Sequence, residues 1–378
     1  MESGFVEPAY SSGGQTLGDV LPAVATALGV TADLSQSSLS LPPAASYVVM
    51  LVDGLGYDLL AEHRSHAPYL HSLLSDTSQL GPATCGVPST TATSLTSLGT
   101  ALTPGQHGLV GFTSRVPETG ALLNSLFWDQ PVDPLVWQPH RTAFDALEAA
   151  GVHTSVVSKR EFAGSGLTRC GQRGAAYVGA DDVAERIAGA VAAAARRPSL
   201  TYVYDGDLDW HGHRAGVDSS RWRGQLREID EDVQELREEL PSDVRLVVVA
   251  DHGMVDSVPA SRFDIDSVPA LRDGLTLLGG EARFRHVYCH VGAADDVAAT
   301  WSGVLGDRAT VLTRDEAIAR GWFGEVAAGV RPRLGDVVVA AHDNWALFSS
   351  QDFHYETTLV GLHGSLTAAE MHIPILVC

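Results

Sequence analysis

Two apolar runs in this chain each end on an aspartate: SYVVMLVDG closes on Asp53, and RLVVVADHG closes on Asp251, with His252 next to it. A short run that is apolar at almost every position reads as a strand buried on both faces. With these two, the strand-like runs stand at 47–52, 153–158, 199–204 and 244–250, separated by stretches of helical periodicity such as RTAFDALEAAG, ADDVAERIAGAVAAAARR and SSRWRGQLREIDEDVQELREEL. This alternation predicts right-handed βαβ units and an α/β fold, a mostly parallel sheet sandwiched by helices. Sites in such sheets lie beyond the C-terminal ends of the strands, where Asp53 and Asp251 stand. Two carboxylates delivered there are how an open sheet starts a metal site, although aspartate is also common wherever a strand meets a turn.

The first 45 or so residues read as a short helix, TLGDVLPAVATALGV, and a Ser/Pro linker. From about 258 to 335 the texture changes to short strands (ARFRHVYCHV, ATVLT) and short helices (DDVAATWSGVLG, RDEAIARG), before a buried run returns in GDVVVAAHDNWALFSS. The expected division is a catalytic core of 1–257 and 336–378 with a small α+β cap insertion at 258–335. Covering the site is the role expected of that insertion, with a packing-only subdomain as the alternative.

At 378 residues and 45% hydrophobic content the chain can bury a sizeable core without staples. Its 46 acidic and 25 basic residues give a formal charge of −21, which disfavours duplex nucleic acid and anionic membranes as partners. A phosphate-bearing substrate must therefore be attracted locally, and bound cations are the simplest source. No lysine or arginine precedes Arg64, no apolar span approaches ~20 residues, and Cys85, Cys170, Cys289 and Cys378 show no paired spacing. These features lead to the expectation of a cytoplasmic protein without disulfides. They do not specify an oligomeric state.

Between the two aspartates lies VPSTTATSLTSLGTALTPGQHG, where Leu95, Leu98 and Leu102 recur at spacings of three and four. A helix is predicted to start around Thr90 to Thr93, and a threonine there would sit at the positive end of the helix dipole, which stabilises an alkoxide and an incoming phosphate. The same signature fits a plain N-cap. Asp209 and His213 stand four apart and could chelate one ion, with Asp207 and His211 as the competing pair; Gly212 argues for an irregular turn. His363, between Gly361 and Gly364, is either a ligand or a turn histidine. Together these segments offer three carboxylates, three imidazoles and a hydroxyl nucleophile, about what two divalent ions need. Phe112, Phe127, Trp128 and Trp137 could stack on a base or aryl leaving group, or pack in the core or rim.

The order Asp53, Pro-Ser-Thr-Thr91, His107-Gly108, Asp209-x-x-x-His213, Asp251-His252 and His363-Gly364 resembles the alkaline phosphatase superfamily, and within it the type I phosphodiesterase/nucleotide pyrophosphatase branch. The resemblance spans roughly 47–113, 199–255 and 355–378. It implies Thr91 as nucleophile, with Asp53, Thr91, Asp251 and His252 around one divalent ion and Asp209, His213 and His363 around a second. Zinc is the expected metal and manganese the alternative. The implied substrate is a small phosphodiester or nucleotide, attacked in line to give a covalent phospho-threonine. Family members usually carry, shortly after the His-Gly element, an asparagine that donates to a non-bridging phosphate oxygen; here that position is Phe112, and Asn124 or Lys159 are the candidate replacements.

A phosphomonoesterase or phosphomutase of the same superfamily would share the ligands but needs extra cations for a dianionic phosphoryl group. No arginine lies between Arg64 and Arg115, which favours a diester or pyrophosphate. A sulfatase is disfavoured because CGVPS lacks the C-x-P-x-R spacing. A metal-binding relative with little turnover is the non-enzymatic alternative, suggested by Phe112.

Overall fold

The computed structural model describes residues 4–10, 13–76 and 82–378. Its main sheet contains β1 (Ser46–Val52), β2 (His153–Ser158), β3 (Ala176–Gly179), β4 (Ser199–Asp205), β5 (Val244–Val249) and the late strand β10 (Ile375–Val377). Their spatial order is β10-β5-β1-β4-β2-β3, all parallel except β10, which runs antiparallel beside β5. All seven residues of β1 are buried, so both faces of the sheet are covered. The four sequence runs match β1, β2, β4 and β5 to within a residue at each end. The short edge strand β3, only half-buried, had no apolar run to announce it.

The helices that matter for the site are α1 (Thr91–Thr100), α2 (Val183–Ala194), α3 (Asp207–Ala215) and α4 (Ser220–Glu239). Trp222, Leu226, Ile229, Val233 and Leu236 of α4 form one buried stripe at spacings of three and four, which seats that helix in the main core.

The insertion builds a four-stranded antiparallel sheet from β6 (Leu275–Glu281), β7 (Phe284–Cys289), β8 (Ala309–Thr313) and β9 (Val337–Ala341), in the order β6-β7-β9-β8. The boundary drawn after residue 335 is therefore corrected, because β9 is an inner strand of this second sheet and not a returning strand of the core. Both surroundings bury a strand on two faces, so VVVAA reads alike in either; only the partners β7 and β8 distinguish them. Val338 and Ala340 face the main core with Phe284 and Trp322, while Val337, Val339 and Ala341 face a second core under helix α5 (Ala294–Leu305) with Trp301. The Ala346–Phe348 strand pairs with Arg262–Asp264, which extends the inserted unit beyond β9. A fully buried bidentate ion pair, Arg283 Nη2 to Glu370 Oε2 at 2.6 Å and Nε to Oε1 at 2.9 Å, joins the β6–β7 hairpin to the C-terminal segment of the core.

Candidate metal centre

Strand register delivers the first two carboxylates. Leu51 lies opposite Val249 in the parallel β1–β5 pair, so Asp53 and Asp251, each two residues further on, leave the sheet side by side. The Gly54 amide donates to Asp251 Oδ1 at 3.1 Å and ties the two turns together. On the other side of β1, α3 begins two residues after β4 and presents Asp209 and His213 on one face. The helix runs straight through Gly212, contrary to the expected irregular turn. A Cβ there would meet Met254 Sδ at 2.4 Å, and one on Gly361 would meet the Gly212 carbonyl oxygen at 2.5 Å, so the two glycines permit a close backbone approach rather than a bend. That approach lets His213 Nδ1 reach the Gly361 carbonyl at 2.8 Å. Val255–Asp256, soon after Asp251, pairs with Gly361–Leu362 and thereby returns His363 to the site.

Thr91 is the first residue of α1. Thr90 occupies the N-cap position with extended backbone, and its side chain makes no capping bond. Thr91 Oγ1 lies 3.2 Å from His252 Nε2 and 3.4 Å from Asp53 Oδ2. The seven residues converge as two adjoining groups, Asp53, Asp251 and His252 in one with Thr91 beside it, and Asp209, His213 and His363 in the other; within each triplet the candidate ligand atoms lie within 4.8 Å of one another. The His252 and His363 rings stack at 3.7 Å and join the groups.

The hydrogen bonding around the site supports bound cations. His252, His213 and His363 each place Nδ1 on a backbone carbonyl, of Gly253, Gly361 and Ser89 at 2.9, 2.8 and 2.9 Å. A carbonyl only accepts, so Nδ1 is the donor in each ring and the neutral tautomer leaves a lone pair on Nε2. His213 and His363 then point these lone pairs at each other across 3.2 Å, a repulsive arrangement unless a cation lies between them. One oxygen of each carboxylate (Asp53 Oδ1, Asp209 Oδ1, Asp251 Oδ2) is also buried without a hydrogen-bond partner. Burial, then the charges of Asp251 and Asp209, push Asp53 well above the usual carboxylate range; burial raises Asp251 too. Burial and the neighbouring His252 and His213 hold His363 well below its usual value, which favours the neutral ligand form. These donors fit a pair of divalent ions.

Tyr204, absent from the sequence reading, donates its hydroxyl to Asp53 Oδ2 at 2.6 Å and leaves Oδ1 for the ion. Its signal was positional: it stands next to the end of β4, the strand that leads to Asp209. The competing ligand pair falls away, since Asp207 binds Lys159 Nζ at 2.9 Å and the His211 ring packs on Trp210 at 4.8 Å.

The centre opens into a cavity of about 570 Å³ lined by Thr90, Thr91, Phe112, Lys159, Glu281 and Tyr355 among others. Leu126, Phe127, Phe162, Trp210 and Tyr355, all exposed apolar side chains, form its rim. Of the aromatic candidates Phe112 and Phe127 line the cavity, whereas Trp128 packs over Gly166 and Trp137 lies buried beneath Arg333. Of the expected phosphate donors, Lys159 lines the cavity but is paired with Asp207. Asn124 does not line it; its side-chain oxygen accepts the Leu126 and Phe127 amides and shapes the rim loop. Cys85 is buried with Sγ against the Glu370 carbonyl and Met371 Sδ, away from the nucleophile position. The inserted unit contributes Glu281 and Ala282 directly to the cavity wall.

An alkaline phosphatase-like α/β sheet with this centre at its C-terminal edge defines a class of phosphoryl-transfer hydrolases. The family described as type I phosphodiesterase/nucleotide pyrophosphatase matches residues 47–366, so the chain belongs to that family and is a hydrolase acting on phosphoric ester bonds. No curated protein matches it. Among solved structures, the murine ectonucleotide pyrophosphatase/phosphodiesterase 5 is similar with a TM-score of 0.70 and 20% identity, covering 88% of this chain and 87% of that one. An inactive threonine-to-alanine form of the murine protein in complex with AMP gives 0.71 at 20% identity, and the human protein gives 0.66 at 19%, with the same coverages.

Proposed function

We propose that this hydrolase is a two-cation phosphodiesterase/nucleotide pyrophosphatase that works through a covalent phospho-threonine on Thr91. The observation that carries the reading is the convergence of three partnerless carboxylate oxygens and three imidazole lone pairs in two adjoining triplets, one of them with the Thr91 hydroxyl of a helix N-terminus beside it. Asp53, Thr91, Asp251 and His252 would hold one ion, and Asp209, His213 and His363 the other, with zinc as the first choice and manganese as the second. Such ions acidify a bound hydroxyl and neutralise phosphoryl charge when present.

In this scheme Thr91 Oγ1 loses its proton to solvent and forms a bond to phosphorus while the bond to the leaving oxygen breaks, and the leaving group departs as an oxyanion that takes up a proton from solvent. The first-turn amides of α1 face the charge gathered on the phosphoryl oxygens. Water then attacks the same phosphorus, and the Thr91–phosphorus bond breaks to regenerate the hydroxyl. Tyr204 and the three backbone carbonyls fix the carboxylate and imidazoles throughout, so little reorganisation accompanies either step.

The apolar rim supports a substrate with a planar aromatic group, a nucleobase or aryl, and the AMP complex of the murine relative is in keeping with a nucleotide. A monoesterase is less well supported, because Lys159 is already bound to Asp207. Cytoplasmic placement is proposed on the free state of all four cysteines; no helix among the described residues is long and apolar enough to cross a membrane.

The test is hydrolysis of a bis-aryl phosphate, a nucleotide aryl ester and an aryl monophosphate. The expected result is turnover of the first two, abolished by a chelator and restored by zinc or manganese. Preference for the monophosphate, or chelator-resistant turnover, would overturn the proposal.

A further inference from the structure

Helix α3 supplies two ligands of the second triplet, yet its own N-cap is Gly206, which has no side chain to hold the first turn. The hold comes from one residue further back. Asp205, the last residue of β4, accepts the Asp207 amide on Oδ1 at 2.9 Å, and its backbone carbonyl accepts the Asp53 amide at 2.8 Å. One residue thus ties the start of the helix that carries Asp209 and His213 to the turn that carries Asp53. A Cβ on Gly54 would come to 3.2 Å from both Cα and Cβ of Asp209, so these two ligand-bearing segments also pack directly on each other.

The other oxygen of Asp205 is held from outside the site. Arg186 of α2 places Nη2 2.6 Å from Asp205 Oδ2, with the carboxylate side chain 0% exposed and that of the arginine 6%. Arg186 Nη1 stands 4.0 Å from Asp207 Oδ2, and Lys159 Nζ binds Asp207 Oδ1 at 2.9 Å, so both carboxylates at the start of α3 face a cation. A buried ion pair often adds little net stability over well-packed apolar side chains of similar volume. Its effect here is directional: with Oδ2 fixed by the guanidinium, Oδ1 can face only the α3 amide.

We infer that the Arg186–Asp205 pair sets the position of the second cation site relative to the first, by fixing the start of α3 against the Asp53 turn. Both are positioning residues that act on the ion through Asp209 and His213. The inference rests on the two-cation reading above and deepens it, since it assigns the placement of the second site to two side chains outside it. Loss of either side chain loosens the first turn of α3 and weakens the Asp209, His213 and His363 site. The Asp53, Asp251 and His252 site keeps its affinity, because the strand pairing of β1 with β5 and the backbone bond from the Asp53 amide remain.

The experiment titrates Mn2+ into chelator-stripped wild type, Asp205→Asn and Arg186→Met, follows binding by calorimetry and electron paramagnetic resonance, and records Tm for each. Asp205→Asn keeps the shape but has one acceptor oxygen, which cannot serve both the Asp207 amide and Arg186. Wild type should take up two ions, about 4 Å apart and therefore spin-coupled. In both variants one binding step should weaken by about 10- to 100-fold while the other stays within about threefold, and at two equivalents of metal the coupled signal should give way to that of an isolated ion. Binding steps that both stay within about twofold of wild type, or that weaken alike, would overturn the inference. A lower Tm with unchanged binding is the result for a pair that serves stability alone, and overturns it too. Should Arg186→Met fail to fold, Asp205→Asn decides. A wild type that binds fewer than two ions sinks the two-cation reading, and this inference with it; a two-ion wild type matched by its variants sinks only the role of the pair.

Discussion

Thr91 gains its reactivity from its place in the chain. One residue earlier, at Thr90, a hydroxyl has the N-cap position; at Thr91 it faces Asp53 and His252 instead. Thr91→Ala should lower kcat for a bis-aryl phosphate by at least about 10³-fold with metal content near wild type, because the triplets of ligands remain. Stoichiometric metal analysis beside the kinetics checks this, and unchanged rates would discard the nucleophile. Tyr204→Phe removes only the hydroxyl that holds Asp53 Oδ2. It should weaken metal binding by about 10- to 100-fold, read as the chelator concentration that halves activity.

At the scale of elements, α3 shows how a helix becomes a chelating face. The spacing of four serves both Asp209/His213 and Asp207/His211, and what separates the pairs is the direction each faces: one toward Asp53 and the returning His363, the other toward Lys159 and Trp210. The second sheet is as much a part of the site as of the packing, since β6 carries Glu281 to the cavity wall. Arg283 and Glu370 lock that hairpin onto the core without solvent contact. Glu370→Ala leaves the guanidinium buried without its carboxylate and should destabilise the protein by about 3–5 kcal/mol, seen as a lower urea midpoint. A midpoint shift near zero would mean that the pair contributes nothing net.

For the whole molecule, a charge of −21 makes the cation centre the local attractor for phosphate on a repelling surface. The metal-free protein also carries a cost at its own sheet edge. Asp53 and Asp251 are raised in the folded state, and a carboxyl shifted upward adds stability below its unfolded pKa and loses it as pH climbs through the folded value. Cations bind the ionised forms and cancel that loss. The gap in Tm between metal-loaded and chelated protein should therefore widen between about pH 5 and about pH 8. Differential scanning calorimetry across that range tests it, and a constant gap would count against buried carboxylates as the ligands.

The sequence alone determined the parallel sheet and the two aspartates that close its strands, because an apolar run bounded by a turn records both the burial of a strand and the place where it ends; the full set of seven side chains was implied by the family resemblance, and only the fold set Asp209 and His213 apart from Asp207 and His211. Asp53 and Asp251 were legible at the strand ends, whereas the glycines around Asp209 and His363 pointed as much to turns as to ligands. Neither β9 nor Glu281 could be placed in this way. VVVAA is equally at home in a core strand or an inserted one, and a glutamate at the end of a strand looks like a solvated side chain until the fold closes over it. Tyr204 and the partnerless oxygens belong to the same class. Pairing partners, hydrogen-bond satisfaction and desolvation depend on residues far apart in the chain, so only the tertiary structure could decide them.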